Sequence, residues 1–71
     1  MIVKQYFNYD TGMHEPYSIE NSRKYVPSNH RELYDELREI LGAERALHVT
    51  GETLKGEGLR GVDIRYFLNS E

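Results

Sequence analysis

Seventy-one residues with 38% hydrophobic content, no cysteine and a formal net charge of −3 describe one small domain with charges of both signs. Those totals exclude a disulfide scaffold, a thiolate metal site and a cysteine nucleophile, and they leave little material for a deep catalytic pocket. Duplex nucleic acid is disfavoured as a partner too, because its phosphates require an excess of Lys and Arg that an acidic chain lacks.

Met1 to Asn8 is rich in β-branched and aromatic residues, which predicts a strand. Tyr9-Asp10-Thr11-Gly12 then has the chemistry of a tight turn closed by a glycine. A second strand is expected from about Met13 to Ile19, at a sheet edge because Pro16 cannot donate to a ladder. Glu20 to Lys24 reads as a loop, with Tyr25 and Val26 briefly extended before Pro27. No apolar run approaches the ~18 residues that cross a bilayer. Met1-Ile2-Val3-Lys4-Gln5 lacks the basic start and long apolar stretch of a secretory leader. A cytoplasmic protein with no membrane partner is the expectation.

One helix is predicted over about His30 to Leu41. Ser28, or Asn29 with Glu32 three residues on, supplies a capping pattern. Leu33, Tyr34, Leu37, Ile40 and Leu41 fall within an arc of about 120°, with Leu37 central. Gly42 is expected to end the helix before Glu44 enters that face. Beyond it, Leu47, Val49, Gly51 and Thr53 alternate with His48, Thr50 and Glu52, which predicts a strand from Ala46 to Leu54. Lys55-Gly56-Glu57-Gly58 reads as a turn. In a final strand from Leu59 to Leu68, Val62, Ile64, Tyr66 and Leu68 face one way and Asp63, Arg65 and Phe67 the other. The sum is an α+β domain over residues 1–71: a small antiparallel β-sheet in ββαββ order, with one amphipathic helix packed on one face.

Motifs with chemistry are weak. Gly56-Glu57-Gly58-Leu59-Arg60-Gly61 matches a dinucleotide-binding glycine pattern, but that site needs a helix after the glycines and a strand is expected there. His14, His30 and His48 lack metal-ligand spacing, and no serine sits in a nucleophile elbow, so neither metal, cofactor nor catalytic residue is assigned. Asp35, Glu36 and Glu39 lie at the spacing of a solvated helix face. The oddity is tyrosine, six in all. Tyr suits half-buried strands, and it also suits protein-binding faces because it joins a rigid ring to a polar tip.

A single helix covers one face of a sheet and leaves the other bare. With Val62, Ile64 and Tyr66 toward the helix, Arg65 and Phe67 point to the bare side, joined by His48 and, if Val3 and Phe7 face inward, by Tyr6. The first strand equally admits Ile2, Lys4 and Tyr6 as the inward set. Tyr6, His48, Arg65 and Phe67 together have hot-spot composition. The leading expectation is therefore a non-enzymatic module that binds another protein and inhibits it, in the manner of small acidic inhibitors from phages and mobile elements. A basic groove meeting Asp35, Glu36 and Glu39 is the alternative contact. A homo-oligomeric accessory subunit is the second expectation. Single-stranded nucleic acid bound through sheet aromatics is the third, with the acidic charge against it.

Overall fold

A hairpin starts the fold. In a computed structural model that describes residues 1–68, strand β1 (Ile2–Asn8) runs antiparallel to β2 (Met13–Pro16), with Gln5 opposite Pro16 and Asn8 opposite Met13. Asn8 is buried at the turn. Its Oδ1 accepts the Asp10 and Thr11 N–H groups at 2.8 and 3.2 Å, and its Nδ2 donates to Glu15 at 2.9 Å. One side chain thus closes the turn and satisfies its own amide.

Two 3₁₀ turns follow, Ser22–Tyr25 and Ser28–His30. Then come helices α1 (Arg31–Leu41) and α2 (Ala43–Gly56), and finally strand β3 (Ile64–Leu68). β3 lies antiparallel on the far side of β1, so the sheet order is β2-β1-β3.

The α+β class and the antiparallel sheet stand as expected, but the element order does not. Residues 46 to 54 lie within α2, not in a strand. Ala43, Ala46, Leu47, Thr50, Gly51 and Leu54 recur at helical spacing, and these are the residues α2 buries. Small residues made that stripe faint beside the period-two alternation of Leu47 and Val49. Gly42, at φ 85°, does end α1, yet it serves as a one-residue corner into a second helix.

Within α1 the buried centre is Tyr34, with no exposed surface, whereas Ile40 is 77% exposed. Leu37 is only half-buried, so its expected central place belongs to Tyr34. Neither Ser28 nor Asn29 caps α1; both fall in the preceding 3₁₀ turn. Arg31 anchors this end instead. Its Nε donates to the Val26 carbonyl at 3.0 Å, and its Nη2 donates to Asp10 at 2.9 Å across the hairpin turn. The strands are shorter than expected as well: β2 stops at Pro16, and β3 begins at Ile64.

Tyr6, Tyr25, Val26, Tyr34, Ala46 and Leu47 form the core, with Tyr17, Leu37 and Val62 packed against it. The Tyr6 ring lies 4.9 Å from both the Tyr17 and the Tyr25 rings, so tyrosines join the sheet to the helical layer. Gly61, at φ 81°, lets the chain pass over α2, where a Cβ would come within 3.1 Å of the Gly51 carbonyl oxygen. β3 packs on β1, and neither helix packs broadly across it.

Candidate functional site

Main-chain geometry fixes which groups of β3 are free. Phe7 N–H donates to the Asp63 carbonyl at 2.9 Å, in the same register that places Gln5 opposite Arg65 and Val3 opposite Phe67. Bonded and non-bonded pairs alternate along an antiparallel ladder. The amides of Arg65 and Phe67 therefore turn toward β1, and those of Ile64, Tyr66 and Leu68 turn outward.

The two edges of the sheet differ. On β2 the same alternation turns His14 and Pro16 outward, and Pro16 has no N–H to offer. That edge is blunted. On β3 every residue is exposed, and Arg65 is the only charge between Ile64 and Leu68. An apolar edge strand with free main-chain groups is a template for another strand.

Side chains extend the patch to both faces. On the inner side Tyr66 is 69% exposed and Leu68 80% exposed, with Ile2 opposite Leu68 and Lys4 opposite Tyr66. On the outer side Phe67 lies 5.6 Å from the His14 ring, which lies 5.3 Å from Phe7. His14 Nε2 is 3.5 Å from Asp63, and Asp63 is 3.5 Å from Arg65 Nε. The Lys4 ammonium sits 5.3 Å from the centre of the Tyr6 ring. Tyr6, and after it Tyr66 and Glu44, holds that ammonium above its ordinary range.

Of the contact residues expected from the sequence, Arg65 and Phe67 do share the uncovered face. Tyr6 does not join them: it is 8% exposed and packs in the core, because Val3 and Phe7 take the outer face of β1. His48 lies on α2 rather than on a strand, at an open groove of about 260 Å³ between α2 and the inner face of β1 and β3. Tyr6, Leu47, Gly51 and Val62 line the groove with Lys4, Lys55, Glu44 and Glu52, so its charges are of both signs. The acidic set is split as well. Asp35 accepts from Arg23 Nε at 3.0 and 3.1 Å, while Glu36 and Glu39 remain exposed on α1.

Of Val62, Ile64 and Tyr66, expected from the sequence to face a helix, Val62 packs against the core while Ile64 and Tyr66 are exposed. Alternation puts these residues on one face of the strand, but whether a helix covers that face is decided by packing and not by local sequence. Among the described residues, no three His, Cys, Asp or Glu side chains come together as a metal site, and no helix is long and apolar enough to cross a membrane. Comparison of the chain with protein-family models, curated proteins and solved structures found no match.

Proposed function

We propose that the chain is a protein-binding module that accepts an extended segment of a partner along the outer edge of β3. The observation that carries this reading is the exposure of all of β3 beside an edge at β2 that Pro16 closes. A segment added there would satisfy the outward amides of Ile64, Tyr66 and Leu68, with Tyr66 against one side of it and Phe67 against the other. Main-chain bonds supply affinity in this mode and alternate side chains supply specificity. A partner whose own working strand is taken up in this way would be inhibited. Arg65 and Phe67 thus stay in the contact surface, and Tyr66 replaces Tyr6 as its inner aromatic.

Tyr66→Pro tests the edge with little disturbance of the fold. The Tyr66 amide points away from β1, so proline there removes an outward donor and leaves the β1–β3 ladder intact. Peptides selected by display against the wild-type chain should be β-forming sequences that lose binding to Tyr66→Pro and keep part of it on Tyr66→Ala. Binders indifferent to Tyr66→Pro would place the contact surface elsewhere and sink the proposal.

A further inference from the structure

We infer that the strand taken up at the β3 edge is the β3 of a second copy of this chain, paired antiparallel about a two-fold axis through Tyr66. The inference rests on the strand-accepting role proposed above and names its occupant.

Register selects that axis. Among the described residues of β3, only Ile64, Tyr66 and Leu68 present outward amides and carbonyls, so the registers open to them are those that bond these residues to one another. With the axis at Tyr66, Tyr66 meets Tyr66 of the second copy, and Ile64 and Leu68 meet each other on both sides. Every outward group of the strand is then paired. Moving the axis to Arg65 leaves Leu68 without its partner and sets the two Arg65 side chains opposite each other, a like-charge pair that destabilises a ladder. With the axis at Tyr66, Arg65 faces Phe67 of the second copy instead, where a guanidinium beside an aromatic ring is favourable.

Closure supports the same occupant. Joining two β3 edges doubles the three-stranded sheet, and both ends of the doubled sheet are β2 edges that carry Pro16. The single open edge is consumed and the assembly stops at two, which is how an isologous interface avoids fibres. A foreign strand would cover the edge but has no reason to match this register or charge placement.

Size sets the strength. Two copies each of Tyr66 and Phe67, rings that bury ~150–250 Å² when fully enclosed, put the interface at roughly several hundred Å², below the standard class. A weak dimer follows, with a dissociation constant of about micromolar to sub-millimolar.

Light scattering across that concentration range, with Cys-substituted variants of this cysteine-free chain, tests the inference. The expected result is a monomer–dimer equilibrium abolished by Tyr66→Pro. A short bismaleimide should then link Tyr66→Cys into a covalent dimer and leave Met13→Cys, on the β2 edge, unlinked. A wild-type chain that stays monomeric at about 1 mM overturns the second copy as occupant. If that monomer still binds selected peptides through Tyr66, the strand-accepting reading survives alone. A dimer that persists in Tyr66→Pro, or that links through Met13→Cys, rejects this axis. Should peptide binding also be indifferent to Tyr66→Pro, both readings fall together.

Discussion

The hydroxyl pair of Ser22 and Tyr34 has only one arrangement of protons. Ser22 Oγ donates its hydrogen to the Ile19 carbonyl at 2.8 Å, so the buried bond between the two hydroxyls must be donated by Tyr34. The two partners are therefore unequal. Tyr34→Phe removes a donor and leaves Ser22 still bonded, which should cost about 0.5–1.5 kcal/mol. Ser22→Ala strands the Tyr34 hydroxyl in a fully buried site, and the cost rises to about 1–3 kcal/mol. Urea denaturation of both single variants and of the double variant checks this. The double should be less destabilised than the sum, because its second change removes a group already orphaned. A Tyr34→Phe cost equal to or above that of Ser22→Ala would reverse the proton assignment. The same logic explains why tyrosine could be seen in the sequence as unusual but not placed. Tyr6, Tyr25 and Tyr34 build the core with Tyr17 packed against them, and composition does not reveal which hydroxyl finds a partner: among the described residues the buried Tyr17 hydroxyl has no hydrogen-bond partner. Tyr25 finds two: it accepts from the Ser18 N–H at 2.9 Å and donates to the Pro16 carbonyl at 3.4 Å.

The helical layer carries its stability on α2 more than on α1. Leu54 is 1% exposed, and Leu54→Ala should cost about 2–5 kcal/mol, a large part of the stability of a domain this small. Leu37→Ala should cost less, because Leu37 packs at the edge of the core and is only partly buried. Ile40→Glu, at a position 77% exposed, should change stability by no more than about 0.5 kcal/mol. Thermal melts of the three variants would expose a wrong ranking at once: a destabilising Ile40→Glu beside a silent Leu54→Ala would mean the stripe of α2 is not the buried one. The hairpin and α1 were legible because each is written locally, in Asp10-Thr11-Gly12 with the edge Pro16 and in the spacing of Leu33, Tyr34 and Leu37. For α2 two periods competed. Leu47, Val49 and Gly51 fit a strand, Ala43, Leu47, Gly51 and Leu54 fit a helix, and only packing against α1 separates them. The candidate site was half legible for a related reason. Alternation put Arg65 and Phe67 on a common face, but the register of β1, which sends Tyr6 inward and Phe7 outward, is set by the Tyr6–Tyr17–Tyr25 stack and not by local sequence.

At the scale of the whole molecule, a core built on tyrosine has a consequence for pH that an aliphatic core lacks. Burial pushes the Tyr25 phenol up from its ordinary value, opposed by the Ser18 N–H that it accepts. Burial likewise raises Tyr17, with Glu44 adding to it, and Tyr9, with Asp63 adding to it. The folded chain therefore holds these protons more tightly than the unfolded chain, whose tyrosines release theirs near pH 10. Linkage gives the sign: the stabilisation is complete below about pH 10 and is lost as pH rises through the higher folded-state values. Tyr25 is fully enclosed and stacked on Tyr6, so loss of its proton bears directly on the joint between sheet and helices. Melting temperature should stay level on this account from neutral pH to about pH 10 and then fall steeply. Tyrosinate absorbance should show a delayed fraction that appears together with loss of the helical signal. Tyr25→Phe should soften the alkaline fall even though it lowers stability at neutral pH, since the variant has one fewer buried proton to lose. If tyrosinate absorbance rose in a single step near pH 10 while the chain remained folded, the tyrosines would be solvated, and the joint between the layers would lie elsewhere.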